Sequence, residues 1–307
     1  MPEQTPTLSV AVFSFNRGRY LRNLLDSIAS AAPAIHVSVY DDRSEDPETF
    51  EILKSCAAEV HINDELNPSR HGNLYTNMQS ALNGCSTRYL LLTQDDTQFV
   101  PSLSDSDFET LEKVFSDPNI AFLRPQFLKA AHAERFLATT KLDTEFGILR
   151  PLKSFEDVEP GNAYCDVVIC DVAKLRKVNW QFQESERANQ LAARKHFSGM
   201  PFMLKPFQFY CPEVPSYRDR KLYFASKTVQ NRRQGEVAGY EMLKGNCLDA
   251  FLDRDPSVPP IAEDFLTPTI ADVKRPFVYQ DYARSPFLHT LYKVESRIYR
   301  IYKGLFK

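Results

Sequence analysis

Two adjacent carboxylates, Asp95 and Asp96, follow an apolar run in the first third of the chain. The run, residues 90–92, reads as a buried strand. Ionised side chains at its exit must face solvent, a cation or a ligand, because burying a charge without a partner is costly. Two acids placed there favour a divalent metal ion, although an ordinary turn or helix cap uses the same residues. The residues that precede the pair decide between these alternatives.

Two more polar clusters follow apolar runs nearer the start of the chain. Residues 13–17 have the sequence Phe-Ser-Phe-Asn-Arg, and Asp41 and Asp42 follow the run 36–40. In a parallel α/β sheet, ligands bind outside the carboxyl ends of the strands, so the three clusters should converge at one edge. Each acid alone is typical of a cap, but their joint occurrence favours a binding site. The two phenylalanines fit core positions as well as contacts to a nucleotide base.

Strand and helix patterns alternate through the first hundred residues. Four strands are predicted, at residues 7–13, 36–40, 59–62 and 89–92. The segments between them have apolar residues at helical spacing and are predicted to be helices. Such an alternation implies right-handed crossovers and a mainly parallel sheet with helices on both faces. The predicted fold class is therefore α/β, doubly wound.

The pattern becomes less regular in the second half. We expect a helix near 108–115, strands at 120–123 and 166–170, and a helix at 185–195. Residues 124–160 show only weak periodicity, and the proline-rich segments after 200 are expected to be loops. The chain shows no internal repeat.

The composition limits the classes of protein to which this chain could belong. The chain has 307 residues and a formal net charge of −3, so no strong field points to nucleic acid as a partner. There is no secretory leader and no apolar stretch long enough to span a membrane, and the six scattered cysteines contain no CxxC pair. These features predict a cytoplasmic protein with reduced thiols.

The tail, residues 287–307, has an apolar stripe at helical spacing and basic residues elsewhere on the predicted helix. Such a basic amphipathic helix could lie on the inner face of an anionic membrane, where it would meet a lipid-linked acceptor. It could instead pack on the domain or on a second copy of the chain in a homo-oligomer.

The two common backbone cradles for phosphate are missing. No GxGxxG follows the first strand, and no GxxxxGK[ST] occurs, which argues against dinucleotide redox chemistry and P-loop phosphoryl transfer. A phosphate ligand at the predicted strand ends would then depend on a metal ion. Mg²⁺ or Mn²⁺ suits carboxylate oxygens and can neutralise a departing diphosphate.

The first hundred residues resemble the nucleotide-binding half of GT-A-type glycosyltransferases of the family-2-like, inverting group. Residues 10–17 resemble the family's first strand and its Pro-Thr-Tyr-Asn-Arg exit, and residues 39–44 resemble its Val-Val-Asp-Asp-Gly-Ser segment. Gly72, Asn77 and 81–82 echo its next conserved helix. Residues 93–96 stand where the family has its DxD-type metal motif, with Gln94 in place of the first acid.

The resemblance implies a role for each matching residue. Phe13 and Phe15 would lie beside the nucleotide base, Asp42 would bond to the base edge, and Asp95 would approach the ribose. Asp96 would hold the Mn²⁺ or Mg²⁺ ion that bridges the two phosphates. The full set of expected nucleotide-sugar ligands is Phe13, Phe15, Asn16, Arg17, Asp42, Asn77 and Asp95.

An inverting transfer also needs a carboxylate that takes the proton of the acceptor hydroxyl. The family supplies it from a Glu-Asp pair at the start of a helix in the second half, and this chain has no such pair. Glu184 and Glu186 are the nearest candidates, with Asp166 and Asp171 in reserve; a helix-capping role is the alternative for the glutamates. Basic stretches at 216–221 and 231–233 could meet phosphate or simply face solvent.

The resemblance therefore implies a metal-dependent, inverting glycosyltransferase that transfers a sugar from a nucleoside diphosphate sugar to a glycan or lipid-linked acceptor in surface glycan synthesis. Residues 1–100 would form the donor half of one domain, 101–235 the acceptor half, and 236–307 a C-terminal extension. Two alternatives remain open: a sugar-phosphate nucleotidyltransferase, and a non-catalytic sugar-nucleotide-binding or scaffold protein.

Overall fold

The structure is a computed structural model of the 307-residue chain. It describes all residues except 1–6, 66, 68–70, 153–161, 213–222, 226, 229–236, 271–274, 279–280 and 306–307.

Eleven strands occur among the described residues. In chain order they are β1 (Leu8–Ser14), β2 (His36–Asp41), β3 (Glu59–Ile62), β4 (Tyr89–Gln94), β5 (Thr97–Phe99), β6 (Phe122–Leu123), β7 (Thr140–Asp143), β8 (Ile148–Pro151), β9 (Val168–Asp171), β10 (Phe202–Met203) and β11 (Gln208–Tyr210).

Ten α-helices accompany these strands in the same part of the chain. They are α1 (Gly18–Ala31), α2 (Pro47–Ser55), α3 (Leu74–Gly84), α4 (Asp105–Phe115), α5 (Ala130–Thr139), α6 (Val172–Lys177), α7 (Glu186–Ala193), α8 (Gly245–Leu252), α9 (Ala262–Phe265) and α10 (Pro286–Leu305).

The central sheet has six strands in the order β3-β2-β1-β4-β9-β6. The strands β3, β2, β1 and β4 are parallel, as the alternation predicts, whereas β9 runs antiparallel to both of its neighbours. The predicted α/β, mainly parallel, doubly wound fold is thus confirmed. The parallel strands all end at the edge that carries the three polar clusters.

Both faces of the central sheet are covered, which explains why β1 is apolar and buried along its whole length. Successive side chains of a strand point to opposite faces. Accordingly, Val10 and Val12 pack into one hydrophobic cluster with residues of α1, α2 and α4, while Ala11 and Phe13 pack into a second cluster with α3 and α6.

The region 124–160, which has little periodicity, contains structure that the pattern does not indicate. It forms α5 and the hairpin strands β7 and β8, and β8 pairs in turn with β10. These strands have two to four residues each, too few to show a period.

A second small sheet brings a distant segment to the end of β4. β11 pairs antiparallel with β5, so Tyr210 lies opposite Thr97, and the Cys211 N–H donates to the Asp96 carbonyl at 2.8 Å. A segment more than a hundred residues away therefore closes over the two acids.

Among the described helices, none combines the length and apolar character that crossing a bilayer requires. The helix predicted for the tail is present as α10.

Candidate functional site

One cleft opens where β1, β2 and β4 end. Its lining comes from these strand ends and from the start of α3, and consists of Phe13, Ser14, Phe15, Arg17, Tyr40, Asp42, His71, Leu74, Asn77 and Gln94. The three polar clusters of the sequence thus meet at one place, as the sheet topology requires.

The phenylalanines occupy two different positions at this cleft. Phe13, at 5% exposure, lies within the core and also lines the cleft, with its ring 5.8 Å from that of Tyr40. Tyr40 stacks in turn on His61, with the ring centroids 4.5 Å apart. Phe15 lies beyond the end of β1 and is half-buried. Phe13 can therefore belong to both the core and the cleft, since one face of its ring can pack in the core while the other lines the cleft.

Asn16 ties the exit of β1 to the loop before α2. Its Oδ1 accepts hydrogen bonds from the backbone N–H groups of Glu45 and Asp46, at 2.6 and 3.1 Å. The residue has φ of 51°, a left-handed conformation that asparagine tolerates better than most residues. Asn16 is not part of the cleft lining, so its contacts in this structure position the loop.

The two acids at the end of β2, Asp41 and Asp42, make different contacts. Asp41 accepts from the backbone N–H and the hydroxyl of Ser44, at 2.8 and 2.6 Å, and so forms the turn. Asp42 lines the cleft and accepts from the backbone N–H and the side-chain amide of Asn73, at 2.8 and 2.9 Å. These bonds fix the Asp42 carboxylate while leaving further lone pairs on its oxygens.

Asp95 and Asp96 are each 1% exposed and lie behind Arg17 rather than on the cleft surface. Arg17 Nη2 is 2.5 Å from Asp95 Oδ1, and Arg17 Nη1 is 3.2 Å from Asp96 Oδ2. Burial raises the pKa of Asp95 to about 7, with Arg17 opposing the shift and Asp96 adding to it. The cation that these acids meet in this structure is therefore a guanidinium.

The chemistry of Asp96 fits a hard divalent ion, since Mg²⁺ and Mn²⁺ prefer carboxylate oxygen. However, the described residues contain no group of three or more His, Cys, Asp or Glu side chains that could hold a metal ion. A metal at Asp96 would thus need most of its ligands from a diphosphate and water, and Arg17 would have to release the carboxylate. The assignment of the metal to Asp96 stays a prediction.

A second acidic group lies near the start of α7. Ser185 caps this helix by accepting from the Ala188 N–H at 3.2 Å, which makes Glu186 its first residue. Glu186 is accessible to solvent, yet the protein around it still raises its pKa by desolvation; Arg124 and the Asp166 backbone N–H oppose the shift. Glu184 lies outside the helix and is exposed.

Asp166 faces Glu186 and is the more deeply buried carboxylate. Burial raises its pKa to about 7, and the charge of Glu186 adds to this, while the Tyr75 hydroxyl opposes it by donating to Asp166 Oδ2 at 3.0 Å. Asp171 instead caps α6 through the Lys174 N–H. The structure thus couples Asp166 with Glu186.

Two cations lie between the acids of β4 and those of α7. The pKa of Lys129 is lowered by burial, and Glu263, Arg124 and Asp96 are near enough to influence it. Arg124 also influences Glu186, and its guanidinium lies over the Phe202 ring at 5.1 Å. Arg124 and Lys129 thus place two positive charges among these acids. The basic stretches 216–221 and 231–233 lie outside the described residues.

A comparison with protein-family models finds a family to which the segment carrying this site is similar. Residues 9–116 match the model of glycosyl transferase family 2, and the match contains all three polar clusters. Over this segment the chain is similar to that family, and the match confirms the resemblance predicted from the sequence. No curated protein matches the chain in sequence.

Several solved structures are similar to this chain at low sequence identity. S. aureus TarS 1-349 has 15% identity and a TM-score of 0.49, covering 67% of this chain and 60% of TarS 1-349. Glucosyl-3-phosphoglycerate synthase from Mycobacterium tuberculosis, in complex with Mn²⁺ and uridine-diphosphate-glucose, has 13% identity and a TM-score of 0.41, covering 74% and 76%.

The bifunctional enzyme WbbM is a more distant match, with 11% identity and a TM-score of 0.40; 66% of this chain and 40% of WbbM are covered. The chain spans only 36% of the longer TarS structure. The similarity to family 2 rests on the match of residues 9–116, and these distant structural likenesses add nothing to it.

Several residues around the candidate site cannot be predicted from the sequence. Tyr40 and His71 line the cleft, and Arg124, Lys129 and Tyr75 surround the acids, but none stands in a recognisable motif. Tyr40 alone has a signal, because it directly precedes the Asp41-Asp42 pair at a predicted strand end. The other four come from helices or loops whose approach depends on tertiary packing.

Proposed function

We propose that this protein transfers a sugar from a nucleoside diphosphate sugar to an acceptor hydroxyl, with inversion at the anomeric carbon. The observation that carries the proposal is the meeting of Phe13, Arg17, Asp42 and the Asp95-Asp96 pair at one sheet edge, inside the segment that matches family 2. The coupled acids Asp166 and Glu186 lie farther along the same side of the sheet.

The donor would bind with its base in the cleft. Phe13 offers a ring face, and Asp42, held by Asn73, offers a carboxylate oxygen to an N–H on the base edge. The ribose and diphosphate would then lie toward Arg17, Asp95 and Asp96. Binding of a diphosphate near a buried carboxylate pair requires added positive charge, because the anions otherwise repel one another.

Asp96 is the residue that would hold a divalent ion, which supplies positive charge to a leaving diphosphate. Arg17 provides part of that charge itself. Its guanidinium lies between the carboxylates and the cleft, so it can turn toward a diphosphate while remaining close to Asp95. Lys129 and Arg124 add positive charge on the acceptor side.

On the acceptor side, Glu186 would take the hydroxyl proton. The acceptor oxygen forms a bond to the anomeric carbon as the bond from that carbon to the diphosphate oxygen breaks, and the diphosphate leaves with the electron pair. The first position of α7 suits a carboxylate, because the positive end of the helix dipole stabilises its negative charge. A pKa raised by desolvation makes Glu186 a stronger base than an exposed glutamate.

The acceptor is proposed to be a glycan or lipid-linked precursor of a surface glycan, presented at the cytoplasmic face of a membrane. Support comes from α10, where Phe287, Val294, Ile298 and Ile301 share one face and are 49–73% exposed. The opposite side of the helix packs through Leu288 onto the fold.

The charged residues beside the apolar face of α10 favour an anionic lipid surface, rather than a protein, as the partner that binds this face. Lys293 and Arg297 are exposed beside the apolar stripe, whereas Glu295 is turned to the packed side and accepts from the Phe224 N–H at 2.9 Å. An apolar stripe flanked by cations is the arrangement that binds at a bilayer interface.

One experiment separates this function from its alternatives. Purified protein is incubated with a panel of nucleotide sugars, Mn²⁺ or Mg²⁺, and lipid-linked or free glycan acceptors, and the products are analysed. Release of nucleoside diphosphate with a product of inverted anomeric configuration supports the proposal. Formation of pyrophosphate would instead show a nucleotidyltransferase, and donor binding without turnover on any acceptor would show a binding or scaffold protein.

A further inference from the structure

Arg124 has a guanidinium whose outer edge the fold does not use. Its Nε donates to Gln126 Oε1 at 2.9 Å, but Nη1 and Nη2 form no hydrogen bond or ion pair with any of the described residues. Other arginines of this fold use the same atoms: Arg150 Nη1 pairs with Asp117, and Arg176 Nη2 donates to backbone carbonyls. Arg124 is half-buried, so its two terminal nitrogens lie at the surface outside any ion pair among the described residues.

Two contacts fix the orientation of this guanidinium. It lies over the Phe202 ring, with Cζ 5.1 Å from the ring centroid. Gln126, which accepts from Nε, is 1% exposed, and its Nε2 donates to the Val167 carbonyl at 3.0 Å. A guanidinium that is bonded along one edge and stacked on one face presents its other edge, the Nη1–Nη2 fork, in a fixed direction. Such a fork matches two oxygens of a phosphate or a carboxylate.

The sheet topology places Arg124 at the edge that carries the candidate site. Because β9 runs antiparallel to both β4 and β6, these two strands are parallel and their carboxyl ends share one edge. Asp95 follows β4, Arg124 follows β6, and Asp166 lies two residues before the intervening strand β9. The charge of Arg124 also reaches Glu186, whose raised pKa it opposes. Arg124 is therefore on the side of the proposed base.

We propose that Arg124 is a specificity-determining residue that binds an anionic oxygen group, phosphate or carboxylate, carried by the acceptor near the hydroxyl that receives the sugar. The inference rests on the proposed function and defines the chemical class of its acceptor. The donor diphosphate is expected at the end of β4, beside Arg17 and Asp96. The end of β6 is two strand spacings away, about 10 Å. This separation leaves room for the transferred sugar between the diphosphate and the anionic group of the acceptor.

The test is a titration with glucose 6-phosphate, glucuronate and glucose, followed by ligand-detected NMR, in the presence and absence of UDP and GDP with Mg²⁺. Binding of the two nucleotides is measured on the same proteins. Arg124→Gln removes the charge and the fork, and Arg124→Lys keeps the charge without the fork. Arg22→Gln, at an exposed position of α1, removes the same charge elsewhere and is the matched control. Circular dichroism checks that each variant is folded.

We expect glucose 6-phosphate and glucuronate to bind the wild type about tenfold or more tightly than glucose, also when nucleotide is present. Arg124→Gln should lose this preference and Arg124→Lys should keep part of it, whereas Arg22→Gln keeps all of it. Nucleotide affinity should be the same in every variant.

Three results would contradict these expectations in different ways. No preference of the wild type for the two anions over glucose, or an unchanged preference in Arg124→Gln, would overturn the inference. Displacement of glucose 6-phosphate by nucleotide, with weaker nucleotide binding in Arg124→Gln, would also overturn it, because Arg124 would then serve the donor diphosphate. Failure of both nucleotides to bind the wild type would instead overturn the proposed function, even if the anion preference were present.

Discussion

Arg17 determines the electrostatics of the candidate site at the scale of single residues. It is far from the acids in sequence, yet its guanidinium contacts both Asp95 and Asp96. Breaking a buried ion pair by removing one partner leaves uncompensated charge in the interior, whereas an exposed pair contributes little. Arg17 should therefore matter for folding as well as for the donor.

Arg17→Ala is expected to lower the free energy of unfolding at pH 7.5 by about 3 kcal/mol, measured by urea denaturation. Arg19→Ala is the matched control: it removes an exposed ion pair between Arg19 on α1 and Glu48 on α2 and should change stability by less than about 1 kcal/mol. Equal effects of the two variants would show that the Arg17 contacts do not balance the buried acids.

Glu186→Gln is expected to reduce kcat by about 100-fold or more, because the acceptor hydroxyl loses its base, with little change in the KM for the donor. Glu184→Gln, two positions earlier and exposed, should stay near wild-type activity. A larger loss in Glu184→Gln than in Glu186→Gln would transfer the role to Glu184.

The raised pKa of Glu186 also sets the pH dependence. A base must be deprotonated to act, so kcat/KM should fall as the pH drops through that raised pKa, and the decline should start nearer neutrality than for an exposed glutamate. Asp166, whose pKa is raised to about 7, titrates with it as a pair. A flat profile down to pH 5 would contradict this assignment.

Sequence predicts some of these residues and misses others for a physical reason. Asp42 and Asp95 stand directly after buried strands, and strand order alone brings them to one edge. Neither the Arg17 ion pair nor the Tyr75–Asp166 hydrogen bond can be predicted from the sequence, because each joins side chains that are far apart along the chain.

At the scale of elements, the start of α1 depends on a close approach to α2. A Cβ at Gly18 would lie 2.6 Å from the Thr49 backbone nitrogen and 2.8 Å from the Glu48 carbonyl carbon. Only glycine fits this contact, which fixes the position of α1 and hence of Arg17 just before it.

Gly18→Ala should destabilise the protein by about 1–3 kcal/mol, since the backbone of α2 must move to relieve the overlap. Gly84→Ala, at the last residue of α3, meets nothing within 4 Å and should be neutral or stabilising by a few tenths of a kcal/mol. Thermal denaturation followed by circular dichroism measures both. A neutral Gly18→Ala would mean that the two helices have room to separate.

Membrane binding by the exposed apolar face of α10 can be tested by sedimentation with lipid vesicles. The wild type should bind vesicles that contain phosphatidylglycerol more than neutral phosphatidylcholine vesicles, with binding reduced by salt. Ile298→Glu should lower binding about tenfold, whereas Val258→Glu, an exposed apolar position elsewhere, should not. Equal binding of both variants and the wild type would exclude this face as the membrane contact.

The elements that sequence predicts are those with many residues in one period. The parallel strands β1 to β4 and the helix α4 match the expected bounds within about three residues at each end. Strands β5, β10 and β11 have two or three residues each and form by pairing with their partner strands. No local sequence pattern therefore predicts them. The helix α5 lacks a buried apolar face, which explains its weak signal.

At the scale of the whole molecule, the parallel sheet supplies the donor cleft and later segments close over it. Tyr20 on α1 donates through its hydroxyl to the Pro212 carbonyl at 2.8 Å, and β11 pairs with β5 beside Asp96. The division at residue 100 into donor and acceptor halves stays a prediction, although these contacts show the two parts packing as neighbours. We expect the sugar specificity to depend on the second half, where the sequence gives the least guidance.

The central claim is that the strand-end cleft binds a nucleoside diphosphate with a cation held at Asp96. The most direct measurement is calorimetric titration of UDP and GDP into the wild type and Asp96→Asn, each with Mn²⁺ and with a chelator. We predict that Mn²⁺ strengthens binding to the wild type by about tenfold or more and that Asp96→Asn, folded by circular dichroism, loses this increment. An affinity that is unchanged by Mn²⁺ in the wild type, or an equal Mn²⁺ increment in Asp96→Asn, would contradict the account.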